Sequence, residues 1–106
     1  MHKAGGLYFL EWDPRAERDV DELRVFEARQ IVAAIGDLQY EAETQTRQRK
    51  PLRNVIRSVP DASWEVRVGD YRVLYEVRKD QTVRVLRVIL KGRRTTDEAA
   101  GSNDGE

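Results

Sequence analysis

Apolar and polar positions alternate with a period of two between Trp64 and Val68. Trp64, Val66 and Val68 sit on one side, Glu65 and Arg67 on the other, as in a half-buried strand. Gly69-Asp70 is a two-residue turn signal, with Gly supplying the positive φ of a tight hairpin. Tyr71 to Val77 resumes a strand rich in aromatic and β-branched residues. Near the start, Leu7 to Trp12 reads as a first strand, aromatic and too short for a helix. Asp13-Pro14 then opens a helix, Asp as N-cap and Pro at the first helical position. Ala16, Val20 and Leu23 give it one apolar stripe, ending near Leu23 or Arg24. A second helix begins near Phe26, with Ala28, Ile31, Val32, Ile35 and Leu38 at a 3.6-residue period. Gly36 inside it costs about 1 kcal/mol against Ala, which predicts a close contact there.

After a turn at residues 79–82, a last strand runs from Val83 to Leu90. Strict alternation puts Val83, Val85 and Ile89 on one face and Leu86, Val88 and Leu90 on the other. A strand apolar on both faces belongs inside a sheet. Residues 41–63 show little periodicity, contain Pro51 and Pro60, and read as one long connection. These elements predict an α+β fold: an N-terminal strand, a helical hairpin, and a three-stranded antiparallel meander in one twisted sheet. Residues 1–94 form a single domain. Residues 95–106 are small, acidic and Gly-rich, and predict a disordered tail.

The charge distribution changes this picture. The chain of 106 residues has a formal net charge of +0, but the charges are segregated. Residues 1–42 hold 5 Lys/Arg and 9 Asp/Glu, residues 43–94 hold 14 and 6, and residues 95–106 hold 0 and 4. A basic block inside a neutral chain points to a polyanion or an acidic partner. There is no cysteine, and the only histidine is His2, so thiolate sites and histidine chemistry are not expected, nor is a cofactor or metal. No apolar run approaches a membrane span, and no secretory signal opens the chain, which predicts a cytoplasmic protein.

Arg67 and Arg72 flank the hairpin turn, and Lys91, Arg93 and Arg94 follow the last strand. If that strand lies beside the hairpin, these cations converge on one face, where guanidinium groups can grip phosphate oxygens bidentately. Lys50 and Arg53, on the approach to the hairpin, are further phosphate contacts or solvated charges. Arg67 could instead pair with Glu65 or Glu76, a contact worth only about 0.2–1 kcal/mol. Trp64, Tyr71 and Tyr75 read as sheet packing. Asp13 reads as a helix cap, and Glu17, Asp19, Asp21 and Glu22 as a solvated helix face.

The segment Trp64-Glu65-Val66-Arg67-Val68-Gly69-Asp70-Tyr71-Arg72-Val73-Leu74-Tyr75-Glu76-Val77 resembles the central hairpin of the RelE/ParE superfamily, toxins of bacterial type II toxin–antitoxin pairs. Thr46-Arg47-Gln48-Arg49-Lys50-Pro51-Leu52-Arg53 is similar to the segment before that hairpin in one branch of these proteins, and the likeness spans roughly Leu7 to Lys91. The resemblance implies a toxin that cuts mRNA at the ribosome without a metal, the 2′-hydroxyl attacking the adjacent phosphate. It implies a cognate antitoxin as partner. By the same resemblance Arg67, Arg72 and Arg93 (or Arg94) are the catalytic cations; the basic block adds Lys50, Arg53, Lys91 and Arg94 as the expected RNA contacts. Two departures stand out. Glu65 replaces a second basic residue, and residues 95–98 hold neither the tyrosine nor the histidine that many ribonuclease members carry after the last arginine. Lys91 and Tyr71 are the residues left to substitute. The alternatives are a ParE-like toxin that inhibits DNA gyrase by contact, and a degenerate member without toxicity.

Overall fold

Asp13 starts the first helix as the sequence predicts. In the computed structural model, which describes residues 7–91 and Ala100, its side chain accepts the Arg15 amide and Pro14 occupies the first turn. That helix, α1, spans Pro14–Asp21, and α2 spans Val25–Glu41. They follow β1 (Phe9–Trp12) and precede four strands: β2 (Arg49–Pro51), β3 (Trp64–Val68), β4 (Tyr71–Val77) and β5 (Thr82–Leu90). The sheet order is β1-β5-β4-β3-β2, with β1 parallel to β5 and every other pair antiparallel. The meander and the interior place of β5 are as predicted.

β2 is an addition to that scheme. Thr46 Oγ1 accepts the amides of Gln48 and Arg49, turning the chain into a three-residue strand along β3. Pro51 is tolerated because β2 is an edge strand and needs no donor on its free side. The rest of the long connection is not loose. Leu52, Ile56, Val59 and Ala62 pack on the sheet face away from the helices, against Leu74, Leu86 and Ile89. Ala100, a helical residue, is buried in the same cluster. The rest of the tail predicted at 95–106 lies outside the described residues.

The sheet therefore separates two cores. On the helix side, Ile31, Ile35, Leu38 and Ala16 pack against Val66, Val73, Tyr75, Val83, Val85 and Val88. Trp64 and Tyr75 stack with ring centroids 6.2 Å apart, as packing residues. The faces of β5 differ from strict alternation. Tyr75 pairs with Val85 but Leu74 pairs with Arg87, so Leu86 is an extra residue, a β-bulge. The bulge moves Val88 to the helix side with Val83 and Val85, and Ile89 to the opposite side with Leu86.

Two further expectations are corrected. Asp19 is not part of a solvated face. It grips Arg87 through Nε at 2.8 Å and Nη2 at 3.1 Å, and accepts the Val88 amide at 2.8 Å. Gly36 marks no contact within the chain, since a Cβ placed there meets nothing within 4 Å. Its substitution Gly36→Ala is thus expected to raise stability by about 1 kcal/mol, read from the urea midpoint. Asp19→Ala removes a two-oxygen grip on the buried Arg87 and the acceptor of the Val88 amide, and is expected to cost about 3 kcal/mol in the same assay.

Candidate functional site

The β3–β4 hairpin holds the predicted arginines against each other. Gly69 takes φ +60° and Asp70 does not have a positive φ, which is the pattern of a type II′ turn. This closes the register so that Val68 faces Tyr71 and Arg67 faces Arg72 directly across the ladder. Arg72 is opposite Ile89 on β5, so both arginines lie on the face away from the helices. Arg67 is exposed, whereas Arg72 is only 6% exposed. The Arg72 Nη1 donates to the Tyr71 carbonyl at 2.9 Å and the Gly69 carbonyl at 3.2 Å. Burial, then the adjacent Arg67, pulls the Arg72 guanidinium below its ordinary pKa. No carboxylate forms an ion pair with either arginine among the described residues, so the pairing with Glu65 or Glu76 considered for Arg67 is not made. Like charges set directly opposite are destabilising unless an anion joins them.

Other predicted site residues divide. Lys50 is exposed on β2 opposite Glu65, and its Nζ lies 3.8 Å from the Glu65 carboxylate. Glu65 is itself buried on the arginine face, two positions from Arg67. Lys91 ends the described strand region, and its amide donates to the Asp70 carbonyl at 2.9 Å, which holds it beside the turn. Arg53 is exposed beyond the far end of β2, roughly 16 Å along the strand direction from Arg67, and is not part of the cluster. Arg93 and Arg94 lie outside the described residues. Tyr71 is on the wrong face to serve the arginines, because its hydroxyl donates to Glu27 on α2 at 3.3 Å. Burial and the Glu27 charge raise its pKa. Among the described residues no group of three His, Cys, Asp or Glu could hold a metal ion. No described helix is long and apolar enough to cross a membrane.

Much of the basic block serves other ends. Arg49 is buried and donates to Glu41 and the Thr44 carbonyl. Arg84 pairs with Glu11 at 2.9 Å and Asp13 at 3.1 Å, and Arg78 pairs with Glu11 and Glu76. The pairs of Arg84 and Arg78 with Glu11 and Asp13 join residues distant in sequence, and no local spacing announces them.

A sequence model of the ParE toxin of the type II toxin–antitoxin system parDE matches residues 10–95. The chain belongs to the RelE/ParE superfamily of type II toxins. Solved structures agree. The RelBE2 toxin–antitoxin complex of Mycobacterium tuberculosis superposes with TM-score 0.61 at 32% identity, covering 77% of this chain and 95% of that one. The archaeal RelE–RelB complex of Pyrococcus horikoshii gives TM-score 0.66 at 23% identity over 82% and 98%. The isolated RelE toxin of E. coli gives 0.60 at 22% over 91% and 96%, and these last two show the shared fold. No curated protein matches the chain.

In this RelE/ParE member the arginine pair makes a separable prediction. Arg67→Ala removes a like-charge contact and is expected to leave stability unchanged or raise it by up to about 1 kcal/mol. The same variant should bind a single-stranded RNA oligonucleotide more weakly, with a shallower salt dependence of the binding constant. Urea melts and salt-titrated binding check the two halves.

Proposed function

We propose that this toxin cuts mRNA at the ribosome without a metal, and that the cross-strand pair Arg67–Arg72 binds the scissile phosphate. The observation that carries this reading is that pair: two arginines on a rigid hairpin, directly opposite, neither in an ion pair with a carboxylate of the described residues. A phosphate at this position would relieve their repulsion. It would also be held where negative charge grows as the 2′-hydroxyl attacks, so the pair favours the transition state over the ground state. Lys50 and Lys91 extend the cationic face on β2 and after β5, and Arg93 and Arg94 complete the set that the family resemblance assigns. Arg53 is a more distant RNA contact. The solved toxin–antitoxin complexes with the same fold support a cognate antitoxin as partner. Cytoplasmic action and inhibition of translation follow from the same reading.

A second reading is a ParE-like toxin that inhibits DNA gyrase by contact. Two observations favour it. The matching family description is that of ParE, and the one phenol adjacent to Arg72 is turned away to Glu27. Induced expression without antitoxin, with growth followed beside primer-extension mapping of mRNA, separates the readings. Codon-phased cuts during arrest are expected, and Arg67→Ala with Arg72→Ala should relieve the arrest while the protein stays folded by circular dichroism. Arrest with intact mRNA and gyrase-dependent DNA breaks would select the second reading. Harmless folded protein would leave a degenerate member.

A further inference from the structure

The outer face of α2 carries a pattern that the fold does not use. Phe26, Ala33 and Tyr40 recur at seven-residue intervals, which keeps them within about 20° of one line along the helix. The residues packed on the sheet, Ile31, Ile35 and Leu38, lie on the opposite side. Phe26 is 70% and Tyr40 65% exposed, high values for two aromatic rings on one helix. Val25 and Val32 are also exposed beside them, and they border an open groove of about 550 Å³ between α2 and the end of α1. Arg29 and Asp37 flank the line, four residues before and four after Ala33. Neither has an ion pair among the described residues, whereas Asp19 and Glu41 on the same two helices are paired with Arg87 and Arg49.

We propose that this face is a homodimer seam in which two copies pack α2 against α2, antiparallel, about a two-fold axis at Ala33. The charge pattern identifies the occupant. In an antiparallel pair centred on Ala33, each residue meets the one equally far on the other side of Ala33 in the second copy. Arg29 then meets Asp37, and Phe26 meets Tyr40, each pair formed twice by symmetry. A parallel pair would instead set Arg29 on Arg29 and Asp37 on Asp37. At a helix separation of 8–10 Å the Cβ atoms of Arg29 and Asp37 come within roughly 6 Å, a distance an arginine–carboxylate pair spans. The contact of one 17-residue helix with its copy is at the small end of specific interfaces. We therefore look for a dimer of modest affinity, in the micromolar range. Because α2 covers the other face of the sheet, such a dimer leaves the face that carries Arg67 and Arg72 uncovered in both copies.

Sedimentation equilibrium of the purified full-length chain, from about 1 to 200 μM, tests the seam. A monomer–dimer equilibrium is expected. Arg29→Asp and Asp37→Arg should each weaken it by roughly tenfold or more, since each turns two attractions into two repulsions. The double exchange, Arg29→Asp with Asp37→Arg, should restore it. Both residues are exposed, so circular dichroism is expected to show unchanged helix in all three variants. A monomer throughout the range would overturn the proposal, as would a dimer indifferent to either single reversal. Failure of the double exchange to recover the dimer would overturn it too.

Discussion

The extra residue at Leu86 is the constraint on which the two-core architecture rests. A regular β5 would present Val85 and Ile89 to one layer and Leu86 and Val88 to the other. The bulge lets Val83, Val85 and Val88 all face the helices, while Leu86 and Ile89 face the covering segment. One strand thus supplies both cores. A bulge leaves backbone groups outside the ladder, and a buried amide without an acceptor is costly. Asp19 answers that need: one carboxylate oxygen accepts both the Val88 amide and Arg87 Nε, and the other accepts Arg87 Nη2. The same contact fixes α1 on β5. The helical layer, the bulge and the register of β5 on β4 are therefore one cooperative unit.

Charge segregation along the chain has two physical origins. The acidic first part and the basic second part neutralise each other in the fold, as Glu11 and Asp13 with Arg84, Asp19 with Arg87, and Glu41 with Arg49 show. These pairs tie β1 and the helices to the strands. Removing them from the count leaves a smaller set of cations at the hairpin end of the sheet. Arg67, Arg72 and Lys91 stand there with no carboxylate partner among the described residues, and Lys50 stands beside them on the buried Glu65. The uncompensated remainder at the hairpin, not the whole basic block, is what supports the proposed phosphate site.

Local signals were legible where they were short-range. Asp13-Pro14, Gly69-Asp70 and the alternation around Val66 each specify their own geometry within a few residues. The place of Arg67 and Arg72 on either side of the turn was legible too, and a two-residue turn then sets them opposite each other. What could not be read depended on distant partners. Nothing near Asp19 shows that it will meet Arg87, 68 residues away. β2 carries only three residues and a proline, below what periodicity can detect, and owes its existence to β3. The faces of β5 were misassigned from Val88 onward because a bulge is a property of the pair, not of the strand. Tyr71 looked available to Arg72 as its neighbour in sequence, yet alternation on a strand places neighbours on opposite faces.

The position of the arginines follows from where the second core stops. Residues 52–62 cover the sheet face as far as Leu74, Leu86 and Ile89. On β4 the next residue of this face toward the hairpin turn is Arg72, level with Ile89, and Arg67 opposite it is exposed. Arg72 therefore has its stem against an apolar layer and its head fixed by the carbonyls of its own turn, while Arg67 is free to move toward an anion. This division gives one pre-positioned guanidinium and one adaptable one. The cost of ordering a second long side chain arises only when an anion is bound. Glu65 on the same face and Asp70 in the turn offset part of the repulsion that Arg67 exerts on Arg72, and an anion held by both guanidinium groups would offset more. A site of this kind favours doubly charged over singly charged oxyanions, because each added negative charge is felt by both arginines at once.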